Sequence, residues 1–130
     1  ESESGRLGEL SGKLAAMAED VDGINVLVTE VEVEKADDLM ELSDHIKGAL
    51  GPSAIMLAAA ADGRVSLVAN FSDQVVERGV RAGDLIKEIA PVVSGKGGGR
   101  PNMARGGGSD AGKTGEALEK ARQWLAEKLT

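Results

Sequence analysis

The sequence predicts an α/β fold, a small mixed β-sheet of three to five strands with helices packed on it, preceded by an N-terminal helix. Three observations predict it. Segments of helical apolar period alternate along the chain with short β-branched runs. Two apolar runs flank Asp62-Gly63, a dipeptide suited to a tight hairpin because both turn positions need positive φ. A helix-period segment closes the chain, so both helices and strands must share one core.

Taken in order, residues 1–21 read as the end of a helix. Leu7, Leu10, Leu14, Met17 and Val21 follow the 3, 4, 3, 4 spacing of a coiled-coil seam, although Gly5, Gly8 and Gly12 weaken it. This segment is either a helix docked on its own domain or the end of a longer helical arm. Asp22-Gly23 breaks it, and residues 22–130 form the globular domain. Ile24 to Val33 is a strand, its end alternating Val31 and Val33 with Glu30, Glu32 and Glu34. Lys35 to Leu50 is a helix with Ala36, Leu39, Leu42 or Ser43, Ile46 and Leu50 on one face and Asp37 and Asp38 in its first turn. Gly51-Pro52 ends it. Ala54 to Ala61 and Arg64 to Phe71 are the hairpin strands. Ser72 is read as the N-cap of a short helix from Asp73 to Arg78. Ala82 to Val93 is a helix that Pro91 kinks or ends early. Thr114 to Leu129 is the last helix, with Trp124 read as a core anchor.

Length and composition bound the function. A chain of 130 residues is a single domain able to bury a core, built here from Val, Ile, Leu, Met and Ala because Phe71 and Trp124 are the only aromatics. With no cysteine, disulfides and thiolate metal sites are excluded. His45, the one histidine, falls off the apolar stripe of its helix and reads as a surface residue. No apolar run reaches membrane-spanning length, so no membrane partner is expected. The first residue is Glu, and the chain is read as a piece of a longer protein with no signal peptide. The formal charge of −7 argues against a generic nucleic-acid binder. Its distribution matters more. Residues 1–50 hold 13 acids and 4 bases, whereas residues 94–115 hold Lys96, Arg100, Arg105 and Lys113 against Asp110 alone.

That positive island coincides with Ser94 to Gly108, SGKGGGRPNMARGGG, in which seven of fifteen residues are glycine. The stretch reads as a glycine-rich loop, with a short strand over Met103–Arg105 as an option. Glycine lets backbone N–H groups approach a ligand, successive N–H groups can cradle an anion, and Arg100 offers a fork of donors suited to phosphate. A linker or a tight packing loop is the alternative. The candidate residues for holding a sugar-phosphate backbone are Lys96, Gly97, Gly98, Gly99, Arg100, Asn102, Arg105 and Lys113; no catalytic or metal-binding residue is assigned. Gly107 to Thr114 meets the spacing of a phosphate-binding GxxxxGKT loop, but no buried strand precedes it and no partner acidic strand is seen, so nucleotide hydrolysis is rejected.

Ala90-Pro91-Val92-Val93, Gly95-Lys96-Gly97-Gly98-Gly99-Arg100-Pro101, Met103-Ala104, Gly106-Gly107-Gly108 and the closing helix with Ala117-Leu118 resemble the C-terminal domain of alanyl-tRNA synthetases. This domain type also accompanies DHH-type phosphoesterases. Asn102 stands where the synthetase pattern usually has Asp, and Arg105 where it often has Gln. The resemblance covers roughly residues 22–130. It implies a non-catalytic module that binds the outer corner of tRNA and helps aminoacylation and editing act on one tRNA. The parent would be a cytoplasmic class II alanine–tRNA ligase, with alanine-specific tRNA and the other synthetase domains as partners and a homodimer through the helical arm. No cofactor is expected in this piece; ATP and Mg, with Zn as an option, belong to other domains. In the related phosphoesterases a Gly-Gly-Gly-His holds substrate, and Arg100 occupies the position of that His. The alternatives are accordingly the substrate-binding domain of a DHH-family phosphoesterase or exonuclease, and a dimerisation module.

Overall fold

The computed structural model describes residues 3–33 and 35–130, with side-chain environments for all of them except 3–7 and 36. The expectations placed on Leu7, Glu34 and Ala36 lie outside the described side chains. Element order is α1 (Glu3–Ala15), β1 (Glu19–Val21), β2 (Ile24–Glu30), α2 (Ala36–Leu50), β3 (Ser53–Ala61), β4 (Arg64–Phe71), α3 (Asp73–Glu77), α4 (Ala82–Ile89), a 3-10 turn (Ala90–Val93), β5 (Gly95–Gly99), β6 (Met103–Gly108), a second 3-10 turn (Ala111–Lys113) and α5 (Thr114–Leu129). The strands form one sheet in the order β1-β2-β3-β4-β6-β5. β2 and β3 run parallel, joined by α2 as the crossover, and every other pair is antiparallel.

The sheet is the middle of three layers. Ala54, Met56 and Ala58 of β3 point into the core beneath α4 and α5, while Ile55, Leu57 and Ala59 point into the core beneath α1 and α2. A strand buried on both faces needs no polar alternation, which is why residues 54–61 read as one apolar run. Many of its side chains are only methyl groups, and the helices come in close. α2 packs on β3 and β4, α5 on β2 and β3, and α4 on β4, β5 and β6.

Several expectations required correction. The sheet has six strands, one more than the upper bound of three to five, because the glycine-rich stretch supplies two and residues 19–21 a third. The first helix stops at Ala15 instead of running to residue 21. Asp22-Gly23 is therefore not a helix breaker but a hairpin turn between β1 and β2, with φ of 52° and 86°; Asp62-Gly63 repeats it with 53° and 77°. Leu10 and Leu14 pack against the α2 side of the core, whereas Met17 is 58% exposed. β2 ends at Glu30, and Val31 still donates its N–H to Ala58 O at 2.8 Å. Pro91 does end α4 early: the helix stops at Ile89 and passes into the 3-10 turn. Ser72 does not cap α3 with its hydroxyl, which instead accepts the Ser53 N–H at 2.9 Å.

Candidate nucleic-acid interface

The stretch Ser94 to Gly108 is not a loop. It is a β-hairpin at the sheet edge, with β6 paired to β4 and β5 outermost. The chain enters it through Ser94, held in the left-handed conformation (φ 58°, ψ 47°) after the 3-10 turn. Residues 100–102 make the connection, closed by Arg100 N–H donating to Met103 O at 2.8 Å. The tip is pinned from two sides. Phe71 N–H donates to Asn102 O at 2.8 Å, and Ala82 N–H, an orphan donor at the start of α4, donates to Pro101 O at 2.7 Å.

Most of the glycines answer to packing. A Cβ on Gly97 would lie 2.5 Å from Ile86 Cγ2 of α4, and one on Gly106 would lie 2.7 Å from the same atom. A Cβ on Gly83 would meet Gly99 O at 2.8 Å, and one on Gly95 would overlap Gly107 O. Helix α4 thus lies directly on the backbone of the hairpin. The expectation of an anion-cradling loop is corrected accordingly: the glycines are extended strand residues, and one face of them is occupied by α4. Gly98 is the exception, since its Cβ would sit 3.4 Å from Lys87 Cε, the far part of a flexible side chain.

The other face carries the charge. Register pairs Gly98 with Arg105 and Lys96 with Gly107, and alternation sets Lys96, Arg105 and Gly107 on the face away from Gly97 and Gly106, which meet α4. α2 covers β3 and β4 on this side, and Lys96 and Arg105 remain exposed. Gly98, Arg100, Asn102, Met103 and Arg105 line an open depression, so the tip gathers three of the candidate polar residues. Arg105 Nη2 also lies 3.3 Å from Asp37 Oδ1 in the first turn of α2, with 49% and 87% of the two side chains exposed. Sequence reasoning misses that partner. Asp37 is legible in sequence only as an acid suited to a helix N-terminus, and nothing local signals a contact 68 residues away. Lys113 is exposed but stands in the second 3-10 turn, beyond the end where Gly95 pairs with Gly108. Arg100 and Asn102 are at the opposite end of the hairpin, roughly 15 Å away along a five-residue strand. The structure therefore does not join Lys113 to the others.

What this site can do is bind, through guanidinium, ammonium and edge-strand N–H donors, a ligand rich in anionic oxygen. His45 is exposed on α2. No group of three or more His, Cys, Asp or Glu able to hold a metal occurs among the described residues. Thr114, the last residue of the GxxxxGKT spacing, is buried with its hydroxyl donated to Ala111 O at 2.8 Å, so it does not face a phosphate or a metal. No helix of the described residues is long and apolar enough to cross a membrane.

Residues 23–127 match the model of the DHHA1 domain. The chain belongs to the DHHA1 domain family. This DHHA1 domain is 40% identical over 126 residues to the alanine–tRNA ligase of Geobacillus thermodenitrificans strain NG80-2, a match covering 96% of the chain and 14% of the relative. The chain thus spans about one-seventh of the length of that protein. Its fold is similar to the C-Ala domain of the alanyl-tRNA synthetase of Aquifex aeolicus, with a TM-score of 0.70, 25% identity, and coverage of 86% of this chain and 96% of that one. RecJ of Thermus thermophilus, solved in complex with Mg2+, shares the fold at a TM-score of 0.57 and 17% identity, over 95% of this chain and 18% of RecJ.

Proposed function

We propose that this DHHA1 domain is the non-catalytic tRNA-binding C-terminal module of an alanine–tRNA ligase. It holds the outer corner of an alanine-specific tRNA so that aminoacylation and editing, both performed by other domains, act on the same molecule. ATP and Mg belong to those domains, the helical arm that ends with α1 joins them to this one and pairs two copies, and the enzyme works in the cytoplasm. The observation that carries the reading is the β5–β6 hairpin. It presents Lys96 and Arg105 from a face nearly bare of other side chains and Arg100 from its tip, on a chain whose remaining charge is negative. The similarity to the C-Ala domain over most of the chain supports it. The residues fit a binding role and offer no nucleophile or acid–base pair at the hairpin.

A weak, salt-sensitive interaction is expected from so few cations. It is enough for a tether, because attachment to the rest of the enzyme raises the effective concentration. The test is equilibrium binding of alanine tRNA to the wild type and to the Arg100→Ala/Arg105→Ala variant at low salt. The variant should bind about tenfold more weakly and lose about two from the slope of log affinity against log salt. Unchanged affinity in the variant would remove the hairpin as the binding surface. A stable dimer indifferent to tRNA would favour the dimerisation reading instead.

A further inference from the structure

Outside the hairpin, one feature of the surface has the chemistry of a ligand site. α4 and α5 diverge to leave a groove of about 380 Å³, lined by Gly79, Asp84, Lys87, Glu88, Trp124 and Lys128. Trp124 is only half-buried: part of the indole packs against the core and the rest lines the groove. Lys128 Nζ stands 5.8 Å from the centre of its ring. Lys87 and Lys128 share the lining with Asp84 and Glu88, and Glu88 is engaged by Lys120 at 3.2 Å. At Gly79, which enters with φ of 83°, a Cβ would meet nothing within 4 Å, so this end is open. At the other side Lys87 runs along β5, its Cε beside Gly98. The groove is therefore continuous with the hairpin through a single lysine.

We propose that this groove is a second RNA contact that takes one unstacked nucleobase on the Trp124 ring. The inference rests on the reading of the domain as a tRNA-binding module. An indole with a cation held over it is a ready stacking platform, since every base has a π-face and the ammonium on its flexible stem can move aside to the adjoining phosphate. Lys87 supplies the charge that links this phosphate to those at the hairpin. Asp84, exposed at the start of α4, accepts the amino or imino hydrogens of a base edge and repels a phosphate at that position. That polarity sets the base inward and the backbone towards Lys87 and Lys128. A short single-stranded segment fits this geometry, and an intact duplex, with its bases stacked, does not.

Trp124 is the only tryptophan and the chain has no tyrosine, so intrinsic fluorescence reports on this groove alone. The wild type is titrated with alanine tRNA, with an unstructured RNA oligonucleotide and with the mononucleotide GMP, while binding of both RNAs is measured separately by filter retention. Fluorescence should be quenched by the tRNA with the midpoint of the filter assay, and by the oligonucleotide more weakly. GMP should quench only at far higher concentration, because it lacks the neighbouring phosphates. Trp124→Leu, which keeps apolar contact with the core, should weaken tRNA binding roughly five- to 100-fold, the range expected of one stacked base. Lys128→Gln should lower the salt slope by about one without changing the melting temperature. Retained tRNA with unchanged fluorescence and unaltered affinity in Trp124→Leu would overturn the groove and leave the module reading standing. No retention of any RNA at low salt would overturn both. Quenching by GMP as strong as by tRNA would make the site one for free nucleotide and overturn the RNA contact.

Discussion

Arg105 has two possible partners and one guanidinium. At 3.3 Å from Asp37, in a solvent-exposed geometry, the pair contributes little to stability, since exposed ion pairs are worth about 0–1 kcal/mol. Its consequence is for binding: a phosphate at the hairpin face must displace a carboxylate. Asp37→Asn should therefore raise tRNA affinity by a few fold at low salt and leave the melting temperature within a degree or two. A lower affinity in this variant would mean that Asp37 positions Arg105 and does not compete for it. The glycines make the same kind of case. Gly106→Ala places a methyl 2.7 Å from Ile86 Cγ2 and should cost about 1–3 kcal/mol in chemical denaturation. Gly98→Ala meets only the flexible side chain of Lys87 and should be neutral or slightly stabilising, as the unfolded chain loses freedom. If both substitutions were equally tolerated, α4 would not be packed on the hairpin backbone as described.

Elements that carry their own signal were legible before the fold was known. The β3–β4 hairpin rests on Asp62-Gly63, α5 on its repeating Ala117, Leu118, Ala121 and Leu125, and the end of α4 on Pro91. Elements that owe their state to tertiary contacts were not. Glycine disfavours strands, so Gly95–Gly99 reads as a loop; it is a strand because α4 needs a flat backbone beneath Ile86 and β6 offers a free edge. β1 has three residues, two of them acids, and is fixed by its turn to β2. That turn is held in place from afar. Arg78 donates to Asp22 O at 2.7 Å, to Asp22 Oδ2 at 3.3 Å and to Leu129 O at 3.4 Å, tying the β1–β2 turn to the end of α5. Arg78→Ala should cost about 1 kcal/mol, partly exposed bonds being discounted for solvent. It should also speed hydrogen exchange at β1 and the last turn of α5 while leaving β3 and β4 protected. Uniform acceleration over the whole sheet would show that the contact is global and not local.

For the molecule as a whole, charge is separated across the sheet from one edge to the other. The acidic first fifty residues supply α1, β1, β2 and α2, and the basic hairpin lies at the opposite edge of the sheet, beyond β4. The island of positive charge was plain in the sequence, and so was the motif around it. What sequence could not give was which of its residues share a face: Lys96 and Arg105 do, Arg100 and Asn102 share the tip with Arg105, and Lys113 stands apart at the far end. Backbone register decides that, and register at a glycine edge has no side-chain pattern to announce it. The most direct test of the account maps the surface with the protein's own amides. A 15N-labelled sample, titrated with alanine tRNA at low salt, should show perturbed or broadened resonances across Gly95–Gly108, with the amides of α1 and β1 unmoved. Perturbations confined to α1 and α2, with the hairpin glycines unchanged at saturation, would contradict it.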